Sequence, residues 1–236
     1  EINRGSYACG ASVIARAWIL TAAHCVCYNR RNVTVGIDQV SIRLGLTDAG
    51  EISQAQNISI KRIIRHEAYN ATTLENDIAL LELENNMTYG PHVRPICLPP
   101  SYDQLKNTSD FYHPNANASI IGRGTDKWYL SEAGKLRQVK IIIHDDANCS
   151  RAYANHFRHG MMCAGGYGRG DACRVDGGGP LMQSVAKDEY IWTQVGIVSW
   201  GPASGCNRRN KPGVYTNVAK YRQWIDHYVQ DAQQVS

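Results

Sequence analysis

The strongest constraint on this chain is the repeated shortness of its apolar runs. Val40–Leu44, Ile58–Ile64, Ile78–Leu83, Val139–Ile143 and Ile191–Trp200 alternate with clusters of Gly, Pro, Asn and Asp, and helix-period patterning is scarce. Runs of this length bounded by turn residues read as strands, and many of them in one chain read as a barrel or sandwich. With 236 residues, 43% of them hydrophobic, the chain can bury a large core, as one all-β unit or as two small lobes. No short-period repeat, low-complexity stretch or Pro/Gly/Ser linker divides it, so residues 1–236 are read as a single domain.

The formal net charge is +4, and the basic residues are scattered, densest at Arg30–Arg31, Lys61–Arg62 and Arg208–Lys211. This reads as a solvated basic face rather than a nucleic-acid or heparin patch. No run approaches the roughly 18 apolar residues of a membrane span and no signal peptide opens the sequence, so no membrane insertion is expected. The sequence reads as a mature or trimmed chain. Eight cysteines stand at 9, 25, 27, 97, 149, 163, 173 and 206. The only close pair, Cys25-Val26-Cys27, is too tight for the usual zinc spacings, so disulfides are favoured and neither metal nor cofactor is expected. Seven Asn-x-Ser/Thr sequons lie at Asn32, Asn57, Asn70, Asn86, Asn107, Asn117 and Asn148. Seven in one chain point to a secreted glycoprotein in an oxidising compartment, with Asn148 the weakest case because Cys149 beside it is expected to be tied down.

Three segments carry chemistry. They are Leu20-Thr21-Ala22-Ala23-His24-Cys25, Asn76-Asp77-Ile78-Ala79-Leu80-Leu81, and Gly170-Asp171-Ala172-Cys173-Arg174-Val175-Asp176-Gly177-Gly178-Gly179-Pro180-Leu181. In this order they resemble the chymotrypsin/trypsin family of serine proteases, whose chain order is His, Asp, Ser. The resemblance runs from Cys9 to Ile225 and includes Arg94-Pro95-Ile96-Cys97-Leu98-Pro99, Met162-Cys163-Ala164-Gly165, Gly196-Ile197-Val198-Ser199-Trp200-Gly201, Lys211-Pro212-Gly213-Val214-Tyr215-Thr216 and Tyr221-Arg222-Gln223-Trp224-Ile225. It implies two six-stranded antiparallel barrels with the active site between them, and a C-terminal helix. The apolar spacing of Trp224, Ile225, Tyr228 and Val229 suits that helix.

The departures matter as much as the matches. Where active members carry the attacking serine, this sequence has Gly177, so His24 has no hydroxyl to deprotonate and no acyl-enzyme can form. Removing such a nucleophile costs on the order of a millionfold in turnover, roughly 8 kcal/mol of barrier. The oxyanion-hole glycine is replaced by Val175, a β-branched residue that tolerates positive φ badly. His24 and Asp77 are then read as a buried hydrogen-bonded pair kept for packing rather than a metal or water-activating site. The resemblance places Asp171 at the floor of the specificity pocket, Gly201 and Gly213 as the small residues of its wall, and Ser199–Gly201 on the strand that hydrogen-bonds substrate backbone. That pocket either still binds a basic side chain or is relict, filled by Arg174.

Resemblance also assigns three disulfides, Cys9–Cys25, Cys149–Cys163 and Cys173–Cys206. A fourth family bridge is missing, with Met182-Gln183 where one partner would fall. Cys97 is expected to bond another protein chain, and Cys27, left without a family partner, is a second interchain candidate. The usual Ile-Val-Gly-Gly-like activation segment, whose freed amine pairs with the aspartate matched by Asp176, is missing from the sequence, which opens at Glu1. Arg123 stands where the family commonly has tryptophan. The leading expectation is therefore an inactive secreted homologue acting as a binding, cofactor or structural module in an extracellular assembly, by analogy an immune or clotting-type cascade. The alternative is an active endopeptidase cleaving after Arg or Lys whose nucleophile has been replaced at position 177.

Overall fold

The protein is described by a computed structural model that covers residues 1–4, 7–28, 32–46, 48, 55–105, 115–122, 135–166, 177–184, 191–202 and 208–229. In the first half, β1 (Ile2–Arg4), β2 (Tyr7–Cys9), β5 (Ser41–Leu44) and β6 (Gln56–Ile58) form a sheet in the order β2-β1-β5-β6. Beside it lies a second sheet of β3 (Ser12–Ala15), β4 (Trp18–Thr21), β7 (Ile60–Arg65) and β8 (Ala79–Leu83), in the order β3-β4-β8-β7. In the second half, β9 (Asn117–Gly122), β10 (Arg137–Ile142), β11 (Met161–Ala164), β12 (Pro180–Ser184), β13 (Trp192–Trp200) and β14 (Gly213–Asn217) form one six-stranded sheet, ordered β10-β9-β12-β13-β14-β11. Its outer strands approach each other through an antiparallel bridge between Ile143 and Ala164. Each of the five apolar runs in the sequence falls on one or two of these strands.

The expectation of two six-stranded barrels is met only in part. The second half has the six strands, whereas the first half divides into two four-stranded sheets around a shared core. The physical reason lies at Ser59. Residues 56–65 are nearly continuous, but β6 pairs with β5 while β7 pairs with β8, and the Ser59 carbonyl between them accepts from the Glu84 N–H at 3.0 Å. A register shift between Ile60 and Arg62 completes the corner. A bulge of this kind lets one strand serve two sheets.

Ile2 and Ile42 from one sheet and Ile19, Leu20, Leu80 and Leu81 from the other fill the same core. A second core lies inside the six-stranded sheet, around Ile120, Ile141, Leu181, Val195, Val198 and Tyr215. Two short helices, α1 (Tyr102–Leu105) and α2 (Asp146–Tyr153), flank β9 and β10 in sequence, and α3 (Arg222–Tyr228) is the expected C-terminal helix. Its Ile225, together with Val229 one turn on, is buried in the first half's core, each aliphatic group contributing on the order of 2 kcal/mol. Trp224 and Tyr228 donate to opposite oxygens of Glu67 at 3.0 and 2.8 Å, and the Arg222 guanidinium donates to the Pro99 carbonyl at 2.9 Å. The helix is thus held against the first half.

Candidate functional site

Strand register brings the first two motif residues together. Thr21 at the end of β4 pairs with Ala79 at the start of β8, so the turns just beyond them share one sheet edge. His24 lies on a 3-10 turn, Ala23–Val26, whose Ala23, Cys25 and Val26 are buried and whose Cys25 is tied to Cys9 by a disulfide. Asp77, fully buried, lies two residues before Ala79. The Asp77 carboxylate accepts the His24 backbone N–H at 2.9 Å on one oxygen and the His24 ring Nδ1–H at 2.8 Å on the other. Ser199 Oγ, from β13, donates to that second oxygen at 2.5 Å, and Thr216 Oγ1, from β14, donates to the Asp77 carbonyl at 2.7 Å.

Those contacts set the charge states. Burial alone would push the Asp77 carboxyl up, but the charge of His24 and the hydrogen bonds from His24 and Ser199 override it and hold it below its ordinary value. Burial likewise pushes the His24 imidazole down, yet the Asp77 charge and hydrogen bond hold it above its ordinary value. The imidazole is therefore fixed in orientation, with Nδ1 turned inward and Nε2 turned toward the third motif.

Gly177 meets that nitrogen. A Cβ placed on Gly177 would lie 2.8 Å from His24 Nε2 and 3.4 Å from Cε1, so the third motif aims position 177 at the imidazole. Both halves of the molecule hold this segment in place. Gly10 donates its N–H to the Gly177 carbonyl at 2.8 Å, Gly178 donates to Val198 at 2.8 Å, and Val198 donates to Gly179 at 2.9 Å. Gly178 has φ +81°, and a Cβ there would stand 2.3 Å from Thr21 Oγ1 and 2.5 Å from the Gly10 carbonyl oxygen, so only glycine fits.

The remaining sequence assignments fare unevenly. Ser199, expected on the strand beside the specificity pocket, turns its hydroxyl onto Asp77. Gly201 borders open space, with nothing within 4 Å of a Cβ added to it, and Gly213 begins β14. Asp171, Cys173, Arg174, Val175, Asp176, Cys206, Arg123 and Asn107 lie outside the described residues. The bonds Cys9–Cys25 and Cys149–Cys163 form as the resemblance implied. Cys27 and Cys97 are unpaired. Cys27 is only 3% exposed, and burial pushes its thiol up to about 11, against the opposing charges of Arg65 and Arg4. As packed it presents no sulfur to a second chain, whereas Cys97 is half-buried. Donor atoms of Cys9, His24 and Cys25 lie within 4.8 Å of one another, but both sulfurs belong to a disulfide, so the group offers a metal a single imidazole nitrogen. Of the sequons, Asn32, Asn57, Asn86, Asn117 and Asn148 are exposed and Asn70 is half-buried.

Sequence reasoning matched the segments that hold Ser199 and Thr216 but missed that either contacts Asp77. That contact carries no local signal, because each reaches Asp77 across more than a hundred residues through the order of strands β13 and β14.

The family model for trypsin matches residues 1–225. The chain belongs to the trypsin family. It is 37% identical over 227 residues to human transmembrane protease serine 11B, covering 94% of this chain and 50% of that protein. It is 36% identical over 221 residues to human transmembrane protease serine 11A, covering 92% and 48%. Against mouse transmembrane protease serine 11C the identity is 38% over 220 residues, covering 92% and 47%. The chain thus spans about half the length of these trypsin-family relatives. Among its described residues no helix is long and apolar enough to cross a membrane. The mostly β, chymotrypsin-like architecture with its C-terminal helix is that of the family.

Proposed function

We propose that this trypsin-family chain is a pseudo-protease, a secreted glycoprotein that binds through its cleft or loops without cutting and acts as a cofactor or structural module in an extracellular assembly. One observation carries the reading. The backbone position aimed at His24 Nε2 is Gly177, and glycine supplies no oxygen to attack a carbonyl. In an active member the imidazole would take a proton from a hydroxyl standing there. Here the ordered His24–Asp77 pair has a proton acceptor but nothing to deprotonate. Val175 supports the same reading from sequence, since a β-branched residue disfavours the positive φ by which glycine would turn its N–H into the oxyanion hole.

The binding role follows from what is left. Asp171 is placed by resemblance at the pocket floor, and open space beside Gly201 suits a substrate-like side chain. Half-buried Cys97 is the residue suited to tie the chain to a partner, and an immune or clotting-type cascade is the setting suggested by analogy. A peptide containing one lysine or arginine tests the reading directly. Calorimetric titration is expected to give saturable binding that Asp171→Asn abolishes, with the peptide recovered intact by mass spectrometry. Cleavage after the basic residue would overturn the proposal.

A second reading keeps the chain as an Arg/Lys-cleaving endopeptidase whose serine was replaced at position 177. The intact His24–Asp77 geometry favours it, and a serine codon at position 177 in the natural gene would establish it.

A further inference from the structure

The sequence taken alone suggests scattered basic residues, but the fold gathers them. From Ala147 to Gly166 and from Arg208 to Ile225 there is no Asp or Glu. Pairing of β11 with β14, Met161 opposite Thr216 through Ala164 opposite Gly213, sets these two acid-free stretches side by side. Lys211 joins them more closely. Its Nζ donates to the Ala152 carbonyl at 2.6 Å, at the C-terminal end of α2, and lies 5.2 Å from the centre of the Tyr153 ring. The Tyr153 hydroxyl donates in turn to the Pro212 carbonyl, and Asn210 donates its N–H to Gly166 at 2.8 Å. Arg151, Arg158, Arg208, Arg209 and Lys211 are all exposed on the joined segments, with exposed His156 and His159 alongside.

Of the other two dense clusters, Arg30–Arg31 lies outside the described residues, and Lys61 and Arg62 both pair with Glu82 at 2.7 Å. Nor is the acid-free face apolar. Among the described residues the exposed large hydrophobics, Tyr28, Val33, Ile37, Tyr102, Leu136 and Ile191, lie outside the two stretches. A surface of forked guanidinium groups without an apolar anchor suits a flexible chain of repeating sulfates and carboxylates better than a lipid surface or a folded partner.

We propose that the face built from residues 147–159 and the 208–211 turn, bordered by Asp145 and Asp146 at the N-terminal end of α2, binds a sulfated, uronate-bearing polysaccharide. Several arginines would each displace counterions from such a polyanion, so affinity should fall steeply with salt. The inference is independent of catalysis and of the cleft.

Heparin is the probe, with affinity measured from about 0.05 to 0.3 M salt, a range over which multi-contact polyanion binding changes most. The parent protein is expected to bind. The triple variant Arg151→Gln/Arg208→Gln/Arg209→Gln should bind at least about tenfold more weakly at 0.15 M salt, with the log–log salt slope reduced by about two to three. Lys211 is left in place because it braces α2. Arg158→Gln alone should give a smaller loss, and Lys61→Gln/Arg62→Gln should give little. Thermal unfolding checks that each variant is folded. Asn148 accepts from Arg151 at 2.8 Å, so the series is repeated with Asn148→Gln to remove any glycan from that helix. No binding by the parent, an unchanged triple variant, or an equal loss in the Lys61/Arg62 variant would overturn the proposal. So would stronger binding to polyglutamate or to anionic phospholipid vesicles, which would assign the face to an acidic protein or a membrane.

Discussion

Gly177→Ser combined with Val175→Gly is expected to raise hydrolysis of an arginyl amide by at least about a thousandfold over the unaltered chain. The loss of a nucleophile is worth on the order of a millionfold, and one oxyanion-hole donor about a hundred- to a thousandfold. Restoring both therefore recovers a large part of the barrier even with imperfect alignment. The structure says why alignment is close. A Cβ at position 177 already points at His24 Nε2, though at 2.8 Å it is too near, so the ring must withdraw by a few tenths of an ångström. Asp77 and Ser199 hold the other side of the dyad, which limits how far the imidazole can turn. Serine alone should recover about a hundredfold less than the double change, because β-branched Val175 disfavours the positive φ that aims a backbone N–H into the hole. Initial rates on a chromogenic arginyl amide separate the two variants. An inert but folded double variant would show that the pair cannot serve as a base. Full recovery with serine alone would favour the endopeptidase reading.

Asp77→Ala should destabilise the fold by about 3–5 kcal/mol, the range seen when one member of a buried charge pair is removed. Three donors converge on that carboxylate, and alanine leaves the His24 backbone N–H, the imidazole and the Ser199 hydroxyl without it. Urea unfolding at neutral pH measures the loss. The pH dependence has two signs. Asp77 has a lowered folded pKa, so its contribution is present above its ordinary value of 3.8 and is lost as pH falls through the depressed value. His24 has a raised folded pKa, so its contribution is complete below its ordinary value of 6.5 and is lost as pH rises through the elevated one. The pair therefore supports the fold most between about 3.8 and 6.5, and stability should decline on both sides of that window. Asp77→Ala should flatten both limbs. Unchanged stability in the variant would mean that the pair contributes nothing to packing.

Much of this was legible in the sequence because it depends on local pattern. Apolar runs such as Ile78–Leu83 and Val139–Ile143 lie on β8 and β10, and the spacing of Ile225 and Val229 marks the buried face of α3. The order His24, Asp77, Gly177 needed only motif matching, as did the two disulfides. What stayed hidden depends on which strands become neighbours. Nothing around Ser59 announces a chain that leaves one sheet for another, since both flanking runs are equally strand-like. Ser199 and Thr216 look like ordinary strand polar residues until β13 and β14 carry them under Asp77. Arg208–Lys211 reads as solvated for the same reason, because its neighbour Arg151 lies far away in sequence and is brought near through β11 and α2.

The central claim is that an imidazole facing Gly177 has nothing to activate, and stopped-flow mixing of the unaltered protein with an excess of a chromogenic lysyl or arginyl ester tests it most directly. The account predicts no burst of released alcohol and a steady rate that His24→Ala leaves unchanged. A burst matching the concentration of protein, followed by turnover at ordinary enzymatic speed, would contradict it.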